Sequence, residues 1–221
     1  MISNIYGVYG ASGFGKEVLP LLKLQIKSDS TIYFIDDSSD LNELNGHKVI
    51  SFEEFISMKT SNLYITVAIA NTKVREQITL KCELNNVKII DIKANNTILL
   101  DNINIDDGSI LCPFVTLTSS IKIGKAFHAN IYSYVAHDCI IGDYVTFAPA
   151  VKCNGNVHIE DHVYIGTGVI IYQGKPNKPL IIGKGATVAA GSVVTKSVPA
   201  GMTVFGNPAI EFTKENMKRR R

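Results

Sequence analysis

Counting by sixes from Ile105 meets Leu111, Leu117, Ile123, Ala129, Val135, Ile141, Phe147, Cys153, Ile159, Ile165 and Ile171, an unbroken file of apolar or small side chains. A second file lies four residues further on, with Val145, Val151, Val157, Val163 and Val169, and glycine follows the first file at Gly124, Gly142 and Gly166. A helix repeats near 3.6 residues and a plain strand at 2, so a sustained period of six matches neither. Two inward positions in every six residues describe one short strand and one corner. Stacked, such units give a coil with three flat faces, the left-handed parallel β-helix.

The period breaks at 172–181, where Gly174, Pro176, Asn177 and Pro179 predict a loop thrown out from the coil. It resumes at Ile182-Gly183, and Val188, Val194, Ala200 and Gly206 continue the phase. The coil is therefore expected from Ile92 or Ile98 to Gly206, about six turns, with Asn207-Pro208-Ala209 ending it.

The first ninety residues follow a different rhythm. Strands are predicted at Ile5 to Tyr9, Thr31 to Ile35, Leu63 to Ala70 and Val87 to Ile90, and helices at Lys16 to Leu24 and Thr72 to Leu84. Ser51-Phe52-Glu53-Glu54 has the Ser-x-x-Glu form that caps a short helix. Alternating strand and helix imply a parallel α/β sheet. The expected organisation is a Rossmann-like domain over 1–91, the β-helix over 92–212 and a basic tail over 213–221.

Composition excludes several classes. A net charge of +2 over 221 residues offers nucleic acid no electrostatic footprint, and the basic run Lys218 to Arg221 reads as a solvated tail. No eighteen apolar residues stand in succession and no signal peptide opens the chain, so no membrane partner is expected. Cys82, Cys112, Cys139 and Cys153 form no Cys-x-x-Cys pair, which fits a reducing cytoplasm. His158-Ile159-Glu160-Asp161-His162 lacks the His-Glu-x-x-His spacing and lies in coil, so no metal is expected.

Between the first strand and helix stands Gly10-Ala11-Ser12-Gly13-Phe14-Gly15, a turn that lets the backbone approach a phosphate at a helix N-terminus. A dinucleotide is one candidate ligand, since Asp36 and Asp37 follow at ribose-binding distance. The glycine spacing is Gly-x-x-Gly-x-Gly, however, and nucleotide-sugar binding is the favoured reading; a purely structural turn is the alternative.

This turn, the Asp-Asp pair and the hexapeptide coil, in this order, resemble the NeuD/PglD-like bacterial sugar acetyltransferases over nearly the whole chain. The most specific stretch is Val135-Ala136-His137-Asp138-Cys139, with Cys153-Asn154-Gly155-Asn156 after it. The resemblance implies that His137 is a general base, that Asp138 raises its basicity, and that the Gly155 N–H polarises the thioester carbonyl of acetyl-CoA. It implies CoA contacts at Thr146, Gly155, Thr167 and Ala190, and acceptor contacts at Ser12, Gly13, Phe14, Asp36, Asp37, Ala70 and Asn71. Phe14 and Thr146 depart from histidines common at those positions, and phenylalanine cannot donate a hydrogen bond to a pyrophosphate.

Acyl transfer independently requires a group that takes a proton near neutral pH, which suits histidine. Neighbouring residues on a strand face opposite ways, so a His137–Asp138 hydrogen bond requires a corner or an irregularity there. The exposed-polar reading of His137 and the tight-turn reading of Gly155 stand as alternatives. The expected activity is N-acetylation of a UDP- or dTDP-linked amino sugar by direct attack on acetyl-CoA, in a homotrimer with CoA between neighbouring coils. O-acetylation of sialic acid or another sugar, and a non-catalytic or zinc-dependent β-helix, are the alternatives.

Overall fold

The computed structural model describes residues 4–58 and 62–218. Two compact units divide them: residues up to Lys93 with Asp107–Ile110, and Ala94–Asp106 with Leu111 onward. Of the basic tail, Arg219, Arg220 and Arg221 lie outside the described residues.

The first unit runs β1 (Ile5–Tyr9), α1 (Gly13–Gln25), β2 (Thr31–Ile35), β3 (Glu43–Leu44), β4 (His47–Ile50), α2 (Phe52–Ile56), β5 (Leu63–Val67), α3 (Thr72–Leu84) and β6 (Lys88–Ile89). Its sheet has the order β3-β4-β2-β1-β5-β6. β1 lies centrally, parallel to both β2 and β5; Val8 and Phe34, in register, are wholly buried on one face of the sheet, and Tyr9, Ile35 and Ile65 pack into the core on the other. The expected parallel alternation holds except at β3, which pairs antiparallel with β4 through Asn45-Gly46, both at positive φ. Ser51 caps α2 by accepting the Glu54 N–H at 3.1 Å. α1 begins at Gly13, three residues before its apolar pattern does.

The second unit is the left-handed parallel β-helix. Tyr134 pairs with Lys152 and Lys152 with Ile170, so one turn takes eighteen residues, three hexapeptides. The stepped file faces inward, with Leu117, Cys153, Ile165 and Ile171 wholly inaccessible to solvent, and so does the valine file from Val145 to Val169. Burial of each such aliphatic side chain contributes about 1.5–3 kcal/mol. Corners fall every six residues at positive φ, as at Ser120, Ala126, Tyr132, Asp138, Tyr144, Ala150, Asn156 and His162, and glycine takes over from Gly168 onward.

The loop is present where the sequence places it, with Lys175 and Lys178 bridging across it, and the coil regains its strand at Leu180–Ile182. The last turn corrects the sequence reading. Val188 pairs with Val204 and Ile182 with Val198, so this turn is two residues short. Val198 and Val204 fill the interior, Ala200 is exposed and Gly206 is partly exposed. Small residues at 200 and 206 imitate a phase that the chain has already left. Ile210–Glu211 then turns back antiparallel on Thr203–Phe205, closing off the final strand edge. Among the described residues no helix is long and apolar enough to cross a membrane.

Candidate active site

His137 and Asp138 occupy a corner of the coil. Asp138 stands at φ +60°, in the left-handed region that aspartate tolerates better than most residues. That turn swings its side chain back to the histidine, and His137 Nδ1 lies 2.8 Å from Asp138 Oδ2. The irregularity required for adjacent residues to meet is therefore present. Both side chains are 61% exposed, so the pair faces solvent and not the packed interior. The carboxylate accepts from Nδ1–H, which leaves the Nε2 lone pair free to take a proton.

Gly155 lies one turn further along the same corner. A Cβ on Gly155 would stand 2.5 Å from both Nε2 and Cε1 of His137, so the imidazole rests against the bare face of the glycine. The φ of Gly155 is not in the left-handed region, and the close approach of the ring leaves no room for a side chain here. Its N–H donates to no acceptor among the described residues, and its carbonyl accepts from Gly174 N–H at 2.9 Å. Residues beyond the three assigned to catalysis brace the corner. Asn156 N–H donates to the His137 carbonyl at 2.8 Å, and the Asn154 side chain joins Tyr134 Oη to the Ile171 carbonyl at 2.8 Å each.

The residues assigned to CoA do not all meet at this corner. Thr167 and Ala190 lie exposed and one turn apart on a second corner, where Gly191 N–H donates to the Thr167 carbonyl. Thr146 is buried in the strand Thr146–Phe147 on a flat face. Within one chain, His137, Asp138 and Gly155 are thus gathered, Thr167 and Ala190 form a separate pair, and Thr146 stands apart from both.

In the first unit, Asp36 closes the glycine turn. Its Oδ2 accepts the Ala11 N–H at 3.0 Å, and its Oδ1 accepts the Ser38 N–H and hydroxyl. Gly10 has φ +115°, and Gly15 packs so closely on the Gly10 carbonyl that no side chain fits. The Ser12 side chain makes no capping bond to the first N–H groups of α1, and Ser12, Gly13 and Phe14 form the start of that helix. Asp37 accepts from Tyr9 Oη, from Lys81 Nζ at 2.7 Å and from the Phe52 N–H at 2.8 Å. Burial alone would raise its carboxyl, but these bonds outweigh it and hold Asp37 below the usual carboxylate range.

Asp36 and Asp37 line a cavity of about 400 Å³ together with Tyr9, Ser38, Gln77 and Lys81. Val74, Gln77, Ile78 and Lys81 project from one face of α3, a spacing that was readable in advance. The assigned residues Ala70 and Asn71 hold structural positions. Asn71 Oδ1 caps α3 through the Lys73 and Val74 N–H groups, and the wholly buried Arg75 donates to the carbonyls of Ile69 and Ala70.

Cys139 and Cys153 are both buried behind the His137 corner, and the Cys153 thiol is pushed up by the adjoining Cys139 sulfur and by burial. That environment suits packing and not a nucleophile at Cys153. His162 stacks on Tyr144 at 5.4 Å, while the His158 strand pairs with Ile140 and Ile181. Among the described residues no three metal-ligating side chains cluster.

A β-helix with a paired imidazole on its corner, following an α/β unit with a glycine turn, has the build of a hexapeptide acyltransferase. Residues 7–82 match the PglD N-terminal domain. The GDP-perosamine N-acetyltransferase of Escherichia coli O157:H7 is 51% identical over 215 residues, covering 96% of this chain and 97% of that protein. WeeI from Acinetobacter baumannii AYE superposes with a TM-score of 0.92 at 58% identity, covering 95% of this chain and all of the other. The acetyltransferase domain of PglB from Neisseria gonorrhoeae FA1090, in complex with acetyl coenzyme A, gives 0.83 at 27% with the same coverage.

The chain belongs to the NeuD/PglD-like family of bacterial sugar acetyltransferases. It is an acetyl-CoA-dependent N-acetyltransferase of nucleotide-linked amino sugars.

Proposed function

We propose that His137 is the general base of this reaction, that Asp138 orients it, and that the acceptor is GDP-perosamine and not a UDP- or dTDP-linked sugar. The carrying observation is the His137–Asp138 hydrogen bond of 2.8 Å, exposed on a coil corner with Nε2 beside Gly155. The choice of nucleotide follows the relative named for GDP-perosamine, which aligns over 96% of the chain.

The acceptor amine attacks the thioester carbonyl carbon, and His137 Nε2 takes the proton the nitrogen sheds. Negative charge gathers on the carbonyl oxygen, for which the Gly155 N–H is the available donor. The C–S bond then breaks, the amide forms, and the CoA sulfur leaves and recovers a proton. No acyl-enzyme is required, in keeping with the burial of both nearby cysteines.

Separation of the Thr167–Ala190 pair from the His137 corner supports a homotrimer, in which one subunit's histidine faces CoA lying on the second corner of its neighbour. The reaction is assigned to the cytoplasm. Thiol release from acetyl-CoA, measured across GDP-perosamine and UDP- and dTDP-linked amino sugars, tests the assignment. His137→Ala is expected to lower kcat by about 10² or more with the best acceptor. An unchanged kcat rejects the role of His137, and turnover confined to a UDP- or dTDP-linked acceptor rejects the nucleotide.

A further inference from the structure

Two interior positions beside the His137 corner depart from the pattern around them. The inward file that runs through Val145, Val151, Val157, Val163 and Val169 continues back by sixes to Cys139 and Ser133. Both are as fully buried as the valines. Valine would fill either place with apolar surface, whereas serine and cysteine bring a hydrogen to donate. Ser133 spends its hydroxyl on the coil itself, donating to the Ala148 carbonyl and accepting the Val151 N–H, each at 3.1 Å.

Cys139 is aimed at the reacting corner. Its Sγ lies 3.3 Å from the Asn154 carbonyl oxygen and 3.6 Å from that of His137. One thiol hydrogen thus serves two carbonyls: that of the residue carrying the imidazole, and that which shares a peptide unit with the Gly155 N–H. The Cys153 thiol approaches the Asn154 carbonyl less closely, at 3.8 Å.

What the thiol does follows from peptide geometry. A trans peptide unit is planar, and its C=O and N–H point in opposite directions. Turning the Asn154 carbonyl in toward Cys139 therefore turns the Gly155 N–H out of the packed interior, at the corner where the imidazole rests on the glycine. The other polar groups of Asn154 are engaged elsewhere. Its N–H and Nδ2 donate to the Ile171 carbonyl at 3.2 and 2.8 Å, and its Oδ1 accepts from Tyr134 Oη at 2.8 Å. Those bonds hold the side chain and the preceding peptide, so Cys139 is the nearest donor acting on the 154–155 peptide itself.

We propose that Cys139 is a positioning residue for acetyl transfer, its buried thiol setting the Gly155 N–H and the His137 backbone in fixed relation through their neighbouring carbonyls. The inference rests on His137 as the base and the Gly155 N–H as the oxyanion donor. The sulfur touches neither substrate and forms no bond to the acetyl group, so its loss acts on kcat and not on KM.

The test measures kcat, KM for acetyl-CoA and urea unfolding in the unaltered chain and in Cys139→Ser, Cys139→Ala and Cys139→Val, with the acceptor turned over fastest. Packing and positioning predict opposite orders. A thiol that only fills space is best replaced by valine, the residue of its own file, and worst by serine, a buried hydroxyl. A thiol that positions the donor is replaced by serine with kcat kept within about threefold, while Cys139→Ala and Cys139→Val lose roughly 10-fold, part of the 10²–10³ that a whole oxyanion donor contributes, at a KM changed less than about twofold. Full kcat in Cys139→Val, or Cys139→Ser no more active than Cys139→Val, overturns the proposal. His137→Ala measured in parallel separates the two levels of inference. If it keeps its kcat, the base is rejected and the positioning role falls with it; if it loses activity while Cys139→Val keeps full kcat, Cys139 alone is rejected.

Discussion

At the scale of single residues, the arrangement turns on an imidazole seated against a glycine. A methyl group on Gly155 would lie 2.5 Å from the His137 ring, while the backbone there needs no left-handed conformation. Gly155→Ala is therefore expected to displace the ring and lower kcat by about 10² or more, with stability changed by only about 1 kcal/mol. Thiol-release kinetics beside urea denaturation check both halves, and a fully active variant would show that the seat is not needed. Asp37 gives a second prediction. Its folded-state carboxyl is held below its unfolded value, so the stability it contributes is present above the unfolded pKa of about 4 and is lost as pH falls through the folded one. Asp37→Asn should flatten the loss of the unfolding midpoint between pH 6 and pH 3, and an unaltered acid profile would contradict this. His137 and Asp138 were legible as neighbours because they are adjacent in a specific motif, and Gly155 because the Cys-Asn-Gly-Asn stretch follows about one eighteen-residue turn later. The Tyr9–Asp37–Lys81 contacts and the Arg75 anchor were not, because residues 28, 44 and five or six positions apart meet through folding and leave no spacing signature.

Among elements, the coil was the most readable part of the chain. Each hexapeptide repeats the same physical requirement, two inward apolar positions and a corner, so one pattern is stated many times over. Ile165 is wholly buried in the stepped file, and Ile165→Ala should cost about 2–5 kcal/mol in urea unfolding through the lost transfer energy and the cavity left behind. A cost below about 1 kcal/mol would mean that this position is not packed as described. Where the pattern misled, the cause was local. Two residues are missing from the final turn, and the interior passes to Val198 and Val204 while Ala200 and Gly206 keep a spurious phase. The corner residues were also invisible in advance, since Phe114, Tyr132 and Tyr144 hold left-handed conformations that sequence would have reserved for glycine or asparagine. The Asn45-Gly46 hairpin, by contrast, carries the strongest short-range turn signal known and went unread.

At the scale of the whole molecule, the proposed CoA contacts occupy two different corners of one chain, and a complete site then needs two chains. His137→Ala removes the base from one wall, and Thr167→Trp blocks the other. Each variant alone should be inactive. Mixed at equal amounts during refolding, they form trimers in which a given site has probability one half of an intact histidine and one half of an intact facing corner, so about a quarter of the wild-type rate should return. Acetyl transfer to GDP-perosamine by that mixed population is the most direct measurement of whether an exposed imidazole works in a cleft shared by neighbours. Recovery to about a quarter supports the shared cleft, and a mixture as inactive as its components contradicts it.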